Sequence, residues 1–413
     1  MINVVDDLQA LDASLVSDDF IRDPYATLDR LRVADPVHWS ESIGGWMLTR
    51  YDDAVVTFMD VASYSNEGRL GRATAYLPPE SRAKLSAFED HFRTKGLLHS
   101  DPPDHTRLRK LVQKVFSPRA IETMRPRIQA IVDDLIDRVE PAGAMEAIED
   151  LAFAVPVTVL AGLLGVPPSD GPRFRAWADG ILSFQGMNKP GEATLLSAQH
   201  ALVEARAYLT ALVEQRHRDP GDDLISLLVA EREDGDVLAD SEIINTGITF
   251  LVAGHETTTS LIGNGLVTLL QHPEQWQKLR ADPSLVPSAI EEILRFESPV
   301  ARQPRLMKQD TEMDGHMLRA GQMVFQMLNA ANRDPAQFPD PARFDICRAP
   351  NRHIAFGRGI HFCIGAPLSR VEGQVVFQTI LRRLPNIRLL DPQPDWNLTK
   401  PNTRVLNTLR VAY

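Results

Sequence analysis

The stretch that most constrains this chain is FGRGIHFCIGAPLSRVEG, residues 356–373. Its single cysteine, Cys363, lies among glycines at positions 357, 359 and 365. Glycine accepts positive φ angles and lets the backbone approach a ligand closely. The pattern therefore predicts a loop shaped around a bound group, with Cys363 held inside it.

Helical spacing begins directly after Cys363. The apolar residues that carry this spacing are Ala366, Leu368, Val371, Val375, Ile380 and Leu384. The sulfur is therefore expected just before a helix N-terminus, where free N–H groups and peptide dipoles favour a thiolate over a thiol. Such a cysteine can act as a nucleophile, a redox thiol or a metal ligand. The alternative is a small, buried apolar side chain.

A second unusual stretch lies inside a long helical pattern, residues 240–270, about 45 Å at 1.5 Å per residue. Its middle, AGHETT, has a glycine, an acid and threonines where a core helix would normally have leucine. Glycine in a helix interior lowers helix stability by about 1 kcal/mol relative to alanine. The hydroxyl of Thr257 can also compete with the backbone N–H for a hydrogen bond to the carbonyl of Ala253. The helix is expected to loosen and to let a ligand approach its backbone; a packing defect is the alternative.

Charged residues at helical spacing form two further motifs. After Asp-Pro-Pro, His105 and Arg109 stand at i and i+4, where two cationic donors suit an anionic group such as a carboxylate. A solvated basic face is the alternative. Glu292 and Arg295 stand at i and i+3 on one helix face, a pattern that is common in surface pairs and carries little information by itself. The resemblance described next implies that this pair is structural.

These motifs resemble, in order, those of the cytochrome P450 family, and the resemblance runs from about Asp23 to the C-terminus. It implies a mainly α (α+β) cytochrome P450 fold. In that fold a helical prism carries small β-sheets near its N-terminal side, and a long central helix crosses the haem. Residues 1–413 are expected to form a single domain.

The cofactor implied by the resemblance is haem b (iron protoporphyrin IX), with Cys363 as the iron ligand. The other residues expected to bind it are His105, Arg109, Ala253, Arg305, Phe356, His361 and Gly365. Among these, His105, Arg109, Arg305 and His361 are expected to clamp the haem propionates. Cys347 lies in a proline-rich meander without a glycine cradle and is the weaker ligand candidate.

The activity implied is that of a monooxygenase, an oxidoreductase that inserts one oxygen atom from O₂ into a hydrophobic small molecule. Glu256 and Thr257 are the expected catalytic residues and deliver protons. Candidate substrate contacts, each of which could equally be plain core, are Thr249, Val252, Val300, Ala301 and Leu406. Hydroxylation, epoxidation or another oxidation stays open, as do regiochemistry, oligomeric state and the choice among secondary-metabolite, macrolide, terpenoid, steroid and fatty-acid substrates.

Electrons are expected from an external ferredoxin or flavodoxin with its reductase, because the chain has no flavin or nicotinamide fingerprint. Basic residues predicted to form a docking surface for it are Arg109, Lys110, Lys114, Arg352, Arg358 and Arg370. The net charge of -11 argues against a nucleic-acid partner. Two cysteines and no apolar leader favour a cytoplasmic protein without membrane attachment.

Two alternative functions use the same motifs. One is a peroxide-driven or non-oxygenating haem enzyme on the same fold, for example in ring coupling, dehydration or nitric oxide reduction. The other is a haem-binding sensor or carrier without turnover. The acid–threonine pair at 256–257 favours O₂ activation over both.

Several segments carry local predictions. Residues 23–33 and 51–59 are expected as helices, residues 36–50 as a β-hairpin and residues 313–324 as strand, turn and strand. Residues 66–98 are expected as an irregular functional loop. The break at residues 186–191, with Phe184 and Met187, is expected by resemblance to lie in the roof over the substrate.

Overall fold

The structure is a computed structural model that describes residues 4–69, 71–184, 187, 189–231 and 236–413. The chain divides into two compact units. Unit 1 comprises Met1–Ser65, Val132–Ala152 and Thr257–Tyr413, and unit 2 comprises Asn66–Ile131 and Phe153–Glu256. Gly186, in the predicted 186–191 break, lies outside the described residues.

The α-helices of the described residues, in chain order, are α1 (Val4–Ser14), α2 (Asp18–Arg22), α3 (Tyr25–Ala34), α4 (Tyr51–Met59), α5 (Pro79–Lys84), α6 (Ser86–Arg93), α7 (Asp104–Val115), α8 (Pro118–Glu122), α9 (Arg125–Val139), α10 (Ala154–Leu164), α11 (Gly171–Leu182), α12 (Glu192–Arg218), α13 (Leu224–Ala230), α14 (Asp240–Gly254), α15 (Glu256–Gln271), α16 (Pro273–Ala281), α17 (Val286–Phe296), α18 (Leu328–Ala331) and α19 (Ala366–Arg383). The predicted helices at 23–33 and 51–59 correspond to α3 and α4.

The strands are β1 (Val37–Ser40), β2 (Gly45–Leu48), β3 (Tyr64–Ser65), β4 (Ala144–Glu146), β5 (Arg302–Met307), β6 (Thr311–Met313), β7 (His316–Leu318), β8 (Met323–Met327), β9 (Arg388–Leu389), β10 (Asp395–Trp396), β11 (Leu406–Thr408) and β12 (Arg410–Ala412). All of them belong to unit 1. Unit 2 is built from helices as far as its described residues extend.

The main sheet of unit 1 has the order β1-β2-β8-β5-β3. β1 and β2 form the predicted antiparallel hairpin, with Val37 opposite Leu48, and β2 runs parallel to β8. Alternate side chains such as Trp46, Leu48 and Val324 are buried in one cluster, which fixes the register of the pairing. The sheet also positions Arg305, which lies opposite Val324 in the β5–β8 pair.

The 66–98 segment of unit 2 is more ordered than predicted, because it contains α5 and α6. Pro79 is the first residue of α5, a position where proline's fixed φ favours a helix start. In α6 the side chains of Phe88 and His91 are buried at i and i+3. The amphipathic pattern of α6 covers only eight residues, and the glycines and prolines around it led to the prediction of a loop.

The predicted long central helix consists of α14 and α15, which meet at His255. The backbone of His255 keeps right-handed helical angles, φ −97° and ψ −54°, so the predicted loosening is local to this residue. His255 is 3% exposed, and its Nδ1 lies 3.1 Å from the carbonyl oxygen of Leu251. A Cβ on Gly254 would lie 3.3 Å from Leu160 of α10, so glycine permits tight packing between these helices.

None of the helices in the described ranges combines the length and apolarity needed to cross a membrane. The longest, α12, spans 27 residues but carries charged residues at both ends, including Glu192 and Arg218.

Candidate active site

The cysteine loop, residues 356–365, is held by its own backbone. Cys363 donates its N–H to the carbonyl of Phe356 at 3.0 Å, and Phe362 donates to Gly359 at 3.1 Å. Gly357 and Gly359 have φ angles of 69° and 71°, as predicted for this loop. Cys363 is half-buried, and α19 begins three residues later. The cysteine therefore lies at a helix N-terminus, as the sequence predicts.

The third glycine of the loop has a different role from the first two. Gly365 has φ −77° and caps α19, so it needs no positive φ. A Cβ there would lie 3.7 Å from Cys363 Sγ, an ordinary contact distance. A side chain at this position would therefore cover part of the sulfur.

Phe58 of α4 lies under both the cysteine loop and Arg305. A Cβ on Gly359 would lie 2.6 Å from the Phe58 carbonyl oxygen, which no side chain can tolerate without a shift. The guanidinium of Arg305 lies 5.1 Å from the Phe58 ring centre, and Arg305 is 5% exposed. The same aromatic residue thus fixes the loop and a buried cation.

His361 is half-buried in the short 3₁₀ turn Gly359–His361 of the same loop. Unit 1 thus contributes two of the four predicted propionate ligands, Arg305 and His361.

Phe356 is fixed by a half-buried ion pair. Arg370 of α19 stacks over the Phe356 ring at 4.6 Å and donates two hydrogen bonds to Glu291, at 2.7 and 2.8 Å. His353 lies 3.1 Å from the same carboxylate. Burial opposes the charge of Glu291, but the hydrogen bonds from Arg370 and His353 outweigh it and lower its pKa to about 2.

Arg370 therefore supports the loop instead of presenting a free charge at the surface, where it was predicted to join the docking residues. Lys114 of the same predicted set lies 3.4 Å from Glu231. Arg352 and Arg358 are exposed.

Glu292 and Arg295 of α17 are both fully buried and form a bidentate pair at 2.8 Å. Arg295 also donates to the carbonyls of Asn332, Pro341 and Arg343 at 2.9–3.1 Å, which uses all five of its N–H groups. The acceptors lie in the proline-rich meander before the cysteine loop. The pair is scaffold, as predicted. Cys347 of that meander is exposed.

An open stripe lies on the surface of α14. Residues 243–248, 250 and 251 are buried, whereas Thr249, Val252 and Ala253 are partly or fully exposed. These three positions stand at i, i+3 and i+4 and thus share one face of the helix. Thr257, at the start of α15 in unit 1, is also partly exposed. Glu256, by contrast, is 9% exposed. Neighbouring Glu256 and Thr257 thus differ in exposure.

A buried carboxyl group that the sequence analysis missed lies on α19. Glu372 is 1% exposed, and burial raises its pKa to about 8, against a hydrogen bond with Thr258 that lowers it. Thr258 Oγ1 in turn lies 3.0 Å from Ser369 Oγ. Glu372 is therefore mainly protonated at neutral pH. Its position within the apolar stripe of α19 was a signal available in the sequence.

In unit 2, α7 presents His105 and Arg109 one turn apart. His105 is 1% exposed, and burial together with the nearby charge of Arg109 lowers its pKa to about 4. The spacing prediction is confirmed, and anion binding by this pair stays a prediction. With its pKa lowered in this way, His105 can donate an N–H to an anion while Arg109 supplies the charge.

The predicted substrate contacts of unit 1 are mostly core. Ala301 and Leu406 are 6% and 3% exposed, and Val300 packs against the cluster that contains Tyr51 and Phe58. In unit 2, Thr249 and Val252 lie on the open stripe, while Phe184 is buried and Met187 is 48% exposed. The open stripe is therefore better placed to meet a ligand than the three residues of unit 1.

Comparison with known proteins decides the family. A family model described as Cytochrome P450 matches residues 194–394. The chain is 40% identical over 402 residues to Cytochrome P450 monooxygenase PikC of Streptomyces venezuelae, covering 96% of this chain and 92% of the relative. The chain belongs to the cytochrome P450 family. It is accordingly an oxidoreductase of the monooxygenase type, and its fold is the P450 fold.

Two solved structures of the family are similar over nearly the whole chain. P450BioI in complex with hexadec-9Z-enoic acid ligated acyl carrier protein is 35% identical, with a TM-score of 0.88 and coverage of 96% of this chain and 99% of that one. Myxobacterial CYP267B1 in complex with myristic acid is 41% identical, with a TM-score of 0.87 and coverage of 97% and 98%. Both confirm the fold class inferred from the motifs.

Haem b is the cofactor of this P450 chain. The cysteine loop fits that group by its chemistry: a half-buried thiol at a helix N-terminus, in a cradle that a Cβ at position 359 would disrupt. Arg305 and His361 in unit 1, and Arg109 with neutral His105 in unit 2, are donors of the kind that carboxylates accept.

Proposed function

We propose that this P450 inserts one oxygen atom from O₂ into a hydrophobic small molecule, by hydroxylation or epoxidation. The observation that carries the proposal is the cysteine loop, in which Cys363 precedes α19 between glycines with positive φ. When bound, haem with a thiolate ligand supplies O₂ activation and the transfer of one oxygen atom, the other leaving as water. Residues 1–413 act as one catalytic domain in this proposal.

Cys363 is the residue that would bind the haem iron, and the cysteine loop would keep its sulfur in place. Arg109, Arg305 and His361, with the N–H of neutral His105, are the proposed propionate ligands. Phe356, Ala253 and Gly365 contribute packing surface around the cofactor. Each assignment follows the family motif, and the burial of His105 and Arg305 supports it.

Glu256 and Thr257 are the proposed proton relay. The partly exposed hydroxyl of Thr257 would hold a proton for delivery to O₂, and the Glu256 carboxyl would resupply that proton. Their different exposure supports this division of roles. Replacing Thr257 by alanine should preserve reductant consumption but lower the yield of product per reductant severalfold. An unchanged yield of product per reductant would exclude the relay. The matched control is Thr246→Ala, which removes the hydroxyl of a buried threonine on α14.

A peroxide-driven enzyme or a haem sensor would not need this relay. A purified chain that makes product from peroxide at the same rate with and without Thr257 would favour the first. A chain that binds ligands but consumes no reductant with any of a broad substrate panel would favour the second.

The proposed substrate is predominantly apolar, with Thr249 and Val252 of the open stripe as contacts and Val300, Ala301 and Leu406 as weaker candidates. Two similar structures carry a fatty acid or a fatty acyl group, which supports an aliphatic substrate. Another relative, Polyketide biosynthesis cytochrome P450 PksS of Bacillus subtilis (strain 168), supports a role in secondary metabolism. A cytoplasmic location accords with the low cysteine content.

Electrons are proposed to come from an acidic ferredoxin or flavodoxin with its reductase. In unit 1 the cysteine loop presents exposed Arg358 beside Ile360 and Phe362, which are 37% and 40% exposed. Cations around an apolar centre suit a small acidic partner. Arg358→Glu should slow reduction about tenfold at low salt and lessen its salt dependence. Arg388→Glu, an equally exposed arginine on β9, is the matched control.

The direct test of the proposed function uses isotope-labelled O₂. Purified holoenzyme, ferredoxin, reductase and NADPH are incubated with aliphatic substrates, and products are analysed by mass spectrometry. One labelled oxygen atom in the product supports monooxygenation. Product oxygen that comes from water, or turnover independent of O₂, would refute it.

A further inference from the structure

Arg69 in unit 2 is a partly buried cation that the function above does not use. Its side chain is half-buried, its Nε is closed off from solvent, and no hydrogen-bond acceptor for that nitrogen exists within the described residues. Burial alone lowers the pKa of Arg69 to about 10, with no carboxylate acting against it. The guanidinium stays charged at neutral pH, so its desolvation is uncompensated.

Other buried arginines of this chain donate hydrogen bonds to acceptors within the chain. Arg295 has acceptors for all five N–H groups, and Arg404 bonds to Glu297 at 2.6 Å. Even Arg302, whose pKa burial also lowers to about 10, donates from Nε to the side-chain oxygen of Asn402 at 2.6 Å. In these three arginines a hydrogen-bond acceptor offsets the cost of burying the guanidinium, whereas the Nε of Arg69 has no such acceptor in the described part of the chain.

The carboxylate closest to Arg69 in sequence forms an ion pair with a different residue. Glu67 is exposed and pairs with Lys95 at 2.6 Å. Asn66, 4% exposed, is a second buried polar group in the same turn, and its Oδ1 has no partner among the described residues. Rotation of the Asn66 amide by 180° presents its NH₂ group instead. In this orientation Asn66 is a second N–H donor, three residues before Arg69 in the chain.

We propose that Arg69, assisted by Asn66, binds a carboxylate that is not part of the polypeptide. A guanidinium is a planar fork that matches the two oxygens of a carboxylate. Two sources have this chemistry in a P450: the acid group of a substrate and a propionate of the haem. The proposal rests on the proposed function, because it assumes a haem-loaded enzyme with an aliphatic substrate.

An amphipathic acid fits the sequence around Arg69. Ala73 and Leu77, four and eight residues later, pack against an apolar cluster that includes Phe88 and Phe184. A polar anchor is thus followed in the chain by two partly exposed apolar side chains, Ala73 and Leu77, which lie on a buried aromatic cluster. This arrangement suits a molecule with one carboxylate and a long hydrocarbon part.

The experiment compares dodecanoic acid with dodecan-1-ol on wild-type, Arg69→Gln, Arg69→Lys and Arg72→Gln holoenzymes. Arg72 is an exposed arginine three residues away and serves as the control. Dissociation constants come from equilibrium titration of the Soret band. Haem retention comes from the rate of haem transfer to excess apomyoglobin. The carbon monoxide spectrum of each reduced protein reports separately whether the haem–thiolate centre, and hence the proposed function, is intact.

If the substrate supplies the carboxylate, Arg69→Gln weakens dodecanoic acid about ten- to a hundredfold and changes dodecan-1-ol about twofold at most. Haem retention then equals that of the control, and Arg69→Lys restores part of the affinity. If a propionate supplies it, Arg69→Gln speeds haem loss about tenfold or more, and both ligands weaken equally. The proposal is overturned if neither the acid preference nor haem retention differs from Arg72→Gln.

Discussion

The cysteine loop of unit 1 and the 66–98 segment of unit 2 both bury charged side chains, but only the first provides their partners. Behind the loop, Glu291 pairs with Arg370 and Glu292 pairs with Arg295. In the 66–98 segment, Arg69 is buried without a counter-charge. The chain therefore completes the scaffold around its cysteine by itself and leaves a polar site in the other region incomplete.

This difference separates two kinds of buried charge. A charge with its partner in the chain contributes to a fixed geometry, and removal of one member leaves the other uncompensated. A charge without a partner costs stability until a ligand supplies one. Substitutions in the two regions should therefore affect the free energy of unfolding in opposite ways.

The largest effect is expected from Glu292→Gln. Arg295 would then be buried without its carboxylate, and loss of one member of such a pair costs about 3–5 kcal/mol. The measurement is urea unfolding of the purified protein, together with haem content. Glu274→Gln, on the exposed surface of α16, is the control and should change the free energy by less than about 0.5 kcal/mol. A loss below about 1 kcal/mol at position 292 would contradict the scaffold role.

Gly359→Ala should have the next largest effect. Both Gly359 and Gly315 have positive φ, so alanine costs about 1 kcal/mol of strain at either. Only at Gly359 would the new Cβ meet the Phe58 carbonyl oxygen, whereas Gly315 has open space. We expect a loss of about 3 kcal/mol at 359 and about 1 kcal/mol at 315. Equal losses at the two sites would show that close packing on Phe58 is unimportant.

Glu372→Gln should change how stability depends on pH. The raised pKa means that the folded chain keeps a proton that the unfolded chain releases, so this group's contribution is full below pH 4.5 and declines as pH rises to about 8. The glutamine variant lacks this decline. It should match the wild type near pH 5 and exceed it by about 1–3 kcal/mol at pH 9. The measurement is thermal unfolding of both proteins at pH 5 and pH 9. The same dependence of stability on pH in the two proteins would contradict a protonated Glu372.

The smallest effect is expected from Arg69→Gln in the enzyme without added substrate. Removal of an uncompensated buried charge should leave the free energy of unfolding unchanged or raise it by up to about 1 kcal/mol. Urea unfolding beside Glu292→Gln gives the direct contrast. A loss of several kcal/mol, with haem fully retained, would mean that Arg69 has a partner within the chain.

Local sequence motifs were enough to predict most of the fold and several features of the candidate site. The cysteine loop, the 292–295 pair, the β1–β2 hairpin and the α7 spacing all follow from local rules of glycine conformation, helical periodicity and strand alternation. These rules act over a few residues, so the sequence alone expresses them. Family resemblance then supplied the cofactor and the order of the motifs.

What the sequence did not express depends on distant neighbours. His105 is neutral because burial removes water from its ring, and no local pattern reports that. Arg69 lies in an irregular segment where side-chain burial cannot be inferred from spacing.

The measurement that tests the central claim most directly is the absorption spectrum of the dithionite-reduced protein with carbon monoxide. With Cys363 as the haem ligand, the wild type should show the long-wavelength Soret band of a thiolate trans to carbon monoxide, and Cys363→Ala should lose it. Cys347→Ala, at the exposed cysteine, should keep it. A long-wavelength band that survives Cys363→Ala, or a wild type with only the shorter, histidine-like band, would contradict the account.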